Sequence, residues 1–247
     1  MTGLVVIGIA GFCHLFLFCL LLPWAAVQSA RRLATRPYPP RLKFFTAVML
    51  QHLFFVGFSI AVAWVEEIPL TVRPKNLALS MIMAAFFLGA IVALMVPHWK
   101  QNVLSRERKV YLFMPRGATE KSLWVVISLA AGIGEEIIYR GVTWTLFTRL
   151  TGSIWLAALI ASIVFAFSHY MQGWKSMLAI FGFALIFHLI VWLTGSLYPA
   201  MAVHFLYDLT AGMTYSYFGV KLGYPVEGIS NGHLRVEEEK TEQTEKS

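Results

Sequence analysis

Inside a long apolar stretch the chain reads Ala131-Gly132-Ile133-Gly134-Glu135-Glu136-Ile137-Ile138-Tyr139-Arg140-Gly141. Three ionisable side chains in such a setting are expensive: even the lowest scale puts one charged residue at mid-bilayer near about 2.5–3.5 kcal/mol. They must face a protein interior or a water-filled cavity, and they must find partners. Glu136 and Arg140 stand four residues apart, share a helix face and can pair. Glu135 lies about 100° further round the helix, which leaves it free to act as a base. Burial beside a second carboxylate and proximity to Arg140 act on its protonation in opposite senses, a combination typical of acid–base sites. The alternative is a buried Glu–Arg pair that only fixes packing, a reading that two adjacent glutamates make harder to sustain.

Two further apolar segments carry polar groups. One ends Phe165-Ala166-Phe167-Ser168-His169, and another holds His204-Phe205-Leu206-Tyr207-Asp208. A lone histidine such as His169 is more often structural than chemical. His204 and Asp208 share a helix face and could ligate a metal together, or Asp208 could orient the His204 ring. Together the three segments supply the groups needed to activate water. A Glu base with His and Asp ligands suits metal-assisted hydrolysis. A Glu–His pair can also activate water without metal, with the second histidine and Asp208 stabilising the oxyanion.

The elements that must position these groups are membrane helices. Of the 247 residues, 58% are hydrophobic and 13% charged, against roughly 25% charged in an average globular chain. The apolar residues form seven blocks, at about 3–27, 44–65, 77–97, 122–148, 153–170, 175–194 and 198–219, most of them near the roughly 20 residues a span requires. The expected fold is all-α, a polytopic bundle of about seven transmembrane helices with the chemistry in its C-terminal half. Its divisions are N-terminal helices over 1–100, a basic cytoplasmic loop or interfacial segment over 101–121, core helices over 122–219 and a polar tail over 220–247. The first block lacks a positive leading region and is too long for a signal peptide, so it is read as a retained span. The net charge of +7 sits in short loops, not on a polar aromatic surface, which argues for positive-inside topology and against nucleic-acid binding. Arg31, Arg32, Arg36, Arg41 and Lys43 in one loop, and Lys100, Arg106, Arg108, Lys109, Arg116 and Lys121 in another, lie two crossings apart. Both should be cytoplasmic, with the N-terminus outside and the C-terminus inside, most simply in the cell membrane. The stretch 98–121 either lies on the lipid surface or is a plain loop.

One geometric condition follows. His169 closes one segment, whereas His204 lies about two turns, roughly 9 Å, inside the opposite end of another. A shared site requires tilted or broken helices, a short span or a deep cavity. The remaining polar membrane residues invite ordinary readings: packing for His14, His52 and His188, solvation for Glu66 and Glu67, and interface anchoring for Trp64, Trp99, Trp174 and Tyr198. Cys13 and Cys19 are read as small buried hydrophobes.

The ordered set Glu135-Glu136-x-x-x-Arg140, Phe165-x-x-x-His169 and His204-x-x-x-Asp208, with Thr194-Gly195-Ser196-Leu197 before the last, resembles the CAAX-protease and bacteriocin-processing (CPBP, or Abi) family, which includes the type II CAAX prenyl endopeptidases. The resemblance spans about residues 120–215. It implies an intramembrane endopeptidase acting on a membrane-bound, even prenylated, protein or peptide within the lipid bilayer. By that analogy Glu135 is the general base, His169 assists it, Glu136 and Arg140 position it, and His204 with residue 208 polarises the scissile carbonyl. The family has been read both as metalloprotease and as glutamate-type protease. A divalent ion such as Zn, held by His169, His204, Asp208 and Glu135, therefore stands beside the metal-free reading. One departure matters: the prenyl endopeptidases carry Asn where this chain has Asp208. An ionised Asp only accepts hydrogen bonds and would repel an oxyanion. Two other function classes compete, a non-proteolytic scaffold or bacteriocin-immunity protein and a proton-coupled transporter, although no inverted repeat favours the latter.

Overall fold

The computed structural model describes residues 7–225, and among these the secondary structure is entirely helical. Seven long helices follow the seven apolar blocks: α1 (Ile9–Thr35), α2 (Arg41–Val65), α3 (Leu77–Leu104), α4 (Gly117–Thr151), α5 (Ile154–Ser168), α6 (Trp174–Thr194) and α7 (Leu197–Lys221). Five of them, α1, α2, α3, α4 and α6, are long and apolar enough to cross a membrane. At 15 residues α5 is shorter, and the 25-residue α7 has the length but carries His204, Asp208 and a polar second half. The chain is a multi-pass integral membrane protein built as an all-α bundle. Of the polar tail expected over 220–247, the part beyond residue 225 lies outside the described residues.

The helical ladders satisfy the backbone, as lipid demands, and Ser80, Ser168 and Thr194 bond their own i−4 carbonyls. The tertiary frame is set by α4 and α7. Helix α7 packs along α3 and the first half of α4; α2 packs on the other side of α4, and α5 pairs with α6 and with the end of α4. Two glycines permit close approaches to α4. A Cβ on Gly132 would lie 2.5 Å from the Phe205 backbone nitrogen of α7, and one on Gly134 would overlap Val56 of α2. The Gly-x-Gly immediately before the glutamate pair thus lets two helices close on α4 from different sides.

The stretch 98–121 is partly helical. Helix α3 continues to Leu104, and a single helical turn at Val110–Phe113 folds inward, burying Val110, Tyr111, Leu112 and Met114. Its basic residues dock against the other basic loop: Arg41 Nε is 2.9 Å from Glu120 Oε2, Arg41 lies over the Tyr111 ring, and Arg108 donates to the Arg36 carbonyl. The two Lys/Arg-rich loops therefore share one face of the bundle.

Two further expectations are corrected. Glu66 is not solvated but 8% exposed: its Oε1 accepts from the Gly11 amide at 2.8 Å and its Oε2 lies 3.3 Å from Arg149 Nη1. A buried carboxylate needs such partners, and here it ties α1, α2 and α4 together. Trp99 is not an interface anchor but a core residue, 3% exposed and packed against Tyr207 and Tyr215 of α7. Trp64, Trp174 and Tyr198 are exposed.

Candidate active site

Helix α4 supplies the centre of the site. From Glu136 to Thr143 its backbone widens into a π-helical segment, an irregularity frequent at functional sites. Glu136 and Arg140 form their i,i+4 pair within it, with Nη1 donating to Oε1 at 3.0 Å. Both are buried, Glu136 at 0% and Arg140 at 2% exposure. The guanidinium is held on three further sides. Nη2 donates to the Ala184 carbonyl at 3.2 Å, and the plane lies 4.6 Å from the Phe165 ring and 5.1 Å from that of Phe187. Charge, fork geometry and ring stacking together offset the cost of burying the cation.

Helix α7 brings His204 onto the same carboxylate. His204 Nδ1 is 2.8 Å from Glu136 Oε1, and its ring lies flat on Phe187, 5.1 Å away at 20°. Spacing left Asp208 either as a metal ligand beside His204 or as the group that orients this ring. Instead Glu136 holds Nδ1, and Asp208 Oδ2 lies beside the other nitrogen, 3.6 Å from Nε2. The register of α7 against α4 decides this, since the i,i+4 relation fixes only that Asp208 and His204 share a face.

Glu135 is the carboxylate left facing space. It lines a cavity of ≈ 420 Å³ together with His169, His204 and Asp208, whereas Glu136 and Arg140 lie behind the wall. Glu135 Oε2 is 3.7 Å from His169 Nε2 and 3.6 Å from His204 Nε2, too long for direct hydrogen bonds, and it has no hydrogen-bond partner. His169 is aimed by its own helix: Nδ1 bonds the Phe165 carbonyl at 2.8 Å, so Nε2 faces Glu135. The convergence condition is thus satisfied. Helix α5 is short, so His169 at its C-terminus stops beside the cavity and does not reach the far end of a full span. The six residues expected from sequence, Glu135, Glu136, Arg140, His169, His204 and Asp208, all gather around one point.

One residue joins them that the sequence placed elsewhere. His52 of α2, read as a packing residue, has Nε2 3.1 Å from Glu135 Oε1 and Nδ1 2.8 Å from the Val48 carbonyl. The only available signal was a polar ring in an apolar helix, which requires a partner but does not name one. His14 and His188 do pack: His14 Nε2 meets Thr143 Oγ1 at 3.0 Å, and His188 Nδ1 bonds the Ala184 carbonyl at 2.9 Å. Cys13 is exposed and Cys19 half-buried, so neither is the buried thiol expected; both lie on the outer part of α1. Among the described residues no three or more of His, Cys, Asp and Glu are arranged so as to hold a metal ion. Glu135 Oε1 is engaged by His52 and His204 Nδ1 by Glu136.

Residues 118–210 match the family model described as type II CAAX prenyl endopeptidase Rce1-like, a span that holds every one of the six residues but not His52. Neither the curated proteins nor the solved structures give a match.

Proposed function

We propose that this chain, whose residues 118–210 match the type II CAAX prenyl endopeptidase Rce1-like family model, is an intramembrane endopeptidase in which Glu135 activates the water that cleaves a peptide bond of a membrane-associated protein. The observation that carries this reading is Glu135 Oε2. It is a buried carboxylate oxygen without a partner, on a residue that lines the cavity, flanked at 3.6 and 3.7 Å by two imidazole nitrogens. A water seated there can give its proton to Oε2 while its oxygen adds to the scissile carbonyl carbon. His169 Nε2 helps to hold that water. Collapse of the tetrahedral intermediate breaks the C–N bond, and the proton on Glu135 passes to the leaving amine.

The oxyanion falls to His204. With Glu136 on Nδ1 and Asp208 near Nε2, the ring has a carboxylate at each nitrogen and can carry both protons, so Nε2–H can donate to developing negative charge. Asp208 then acts through His204: it balances the ring charge and does not itself donate. This gives a role to an acceptor-only side chain where the prenyl endopeptidases carry a donor. Glu136 and Arg140 act from behind the cavity wall by fixing the His204 ring.

The substrate enters a cavity walled largely by apolar and aromatic groups, among them Phe45, Phe55, Phe113, Trp124 and Phe183. Such a wall suits a lipid-borne chain, a prenylated one included, and keeps bulk water from the base. The shared face of the two basic loops supports a cytoplasmic position for both, hence an N-terminus outside and a C-terminus inside the cell membrane. The test is cleavage of lipidated reporter peptides by the purified protein in detergent. Loss of cleavage in Glu135→Ala and His169→Ala is expected, and undiminished cleavage in either variant would overturn the assigned roles.

A further inference from the structure

We propose that His52, on a helix outside the family-matched segment, is a positioning residue that anchors Glu135 Oε1 by a hydrogen bond from Nε2 and so reserves Oε2 for water. The proposal rests on Glu135 being the base. It begins from the ring's other nitrogen. Nδ1 is 2.8 Å from the Val48 carbonyl, which can only accept, so Nδ1 carries a hydrogen. Nε2 then faces Glu135 Oε1 at 3.1 Å. Two bare lone pairs do not settle at that distance, so Nε2 carries a hydrogen as well and donates it to Oε1, which leaves Glu135 an anchored carboxylate.

His169 is built by the same device, with Nδ1 on the i−4 carbonyl of Phe165 and Nε2 toward Glu135. The two differ in what they leave open. His52 is within hydrogen-bond range of Oε1, whereas His169 stands off from Oε2, which stays unpartnered. The carboxylate is therefore asymmetric: one oxygen is anchored from α2 and the other is free. The anchor also fixes the Glu135 side chain, which would otherwise rotate in the cavity and lose its alignment with His169 and His204. Gly134 makes this possible, because a side chain there would push α2 away at Val56, one turn from His52.

The experiment combines a measurement that needs no turnover with one that does. In full-length protein labelled with 15N-histidine, a downfield proton coupled to a histidine Nε2 is expected in the wild type and lost in both H52Q and E135A. Its absence from the wild type, or its persistence in E135A, overturns the proposal. In peptide cleavage, H52A is expected to lower kcat about 10- to 100-fold, the range typical of residues that orient a catalytic group, with KM within about twofold. Added imidazole should restore part of that loss in H52A and none in E135A. H52Q keeps an N–H that can reach Oε1 and should retain more activity than H52A. Wild-type kcat in H52A, or a loss in H52A that imidazole leaves untouched while H52Q fares no better, overturns the positioning role. Should the wild-type chain cleave no lipid-borne peptide, the peptidase reading falls, and the resonance still decides the His52–Glu135 pair.

Discussion

His204 and Arg140 meet on a single oxygen: Glu136 Oε1 lies 2.8 Å from His204 Nδ1 and 3.0 Å from Arg140 Nη1. One carboxylate thus joins a local pair within α4 to a histidine on α7. Removing it affects both. Glu136→Ala leaves the Arg140 cation buried without its counter-charge, a loss of about 3–5 kcal/mol. Thermal unfolding in detergent should show a lowered midpoint. Glu136→Gln keeps an acceptor for both donors, so it should fold better than Glu136→Ala yet still lose activity, because the His204 ring no longer has a charge behind it.

Arg140 is held by geometry as well as charge. Arg140→Lys preserves the cation but loses the fork that reaches both Glu136 and Ala184 and the guanidinium's contacts with the Phe165 and Phe187 rings. Stability between that of wild type and Arg140→Ala is expected, read from the same unfolding curves, with cleavage reduced in both variants.

Gly132→Ala tests the closeness of α4 and α7. The new methyl would meet the Phe205 backbone at 2.5 Å, and backbone cannot turn aside as a side chain can. Overpacking of this kind costs about 1–3 kcal/mol. Because Phe205 follows His204, the displacement should also lower kcat. Gly89→Ala is the control: nothing lies within 4 Å of its added Cβ, so stability and cleavage should match the wild type.

Asp208→Asn separates the two readings of that residue. If Asp208 acts by balancing the charge on His204, an amide that can itself donate to the oxyanion should keep kcat within about tenfold, or roughly 1.4 kcal/mol of activation free energy. Asp208→Leu, which neither balances nor donates, should lose far more. A metal-ligand role predicts the reverse for Asn, namely loss of bound metal and of activity together. Elemental analysis of purified wild type, Asp208→Asn and His204→Ala, alongside kinetics before and after chelation, checks this. Cleavage that persists after chelation is the expected result.

Much of the architecture is legible in the chain because its determinants are local. Seven apolar blocks announce seven helices, since lipid leaves the backbone no other partner over such lengths. The Glu136–Arg140 pair follows from spacing of four on one helix, and the need for partners around Glu135 follows from the cost of charge in an apolar segment. The three motif segments, taken in order, pointed to one centre.

What the tertiary structure decided are the pairings between helices, whose register and rotation no local spacing encodes. It drew His52 from packing into the site and gave the His204 ring to Glu136 instead of Asp208. It buried Glu66 and Trp99, which their positions near segment ends had assigned to water and to the interface. It also set the division within the opening motif. Both glutamates carry the same group, but with α7 approaching at Gly132 and α2 at Gly134, Glu136 is completely enclosed, whereas Glu135 lines the cavity with one oxygen left unpartnered.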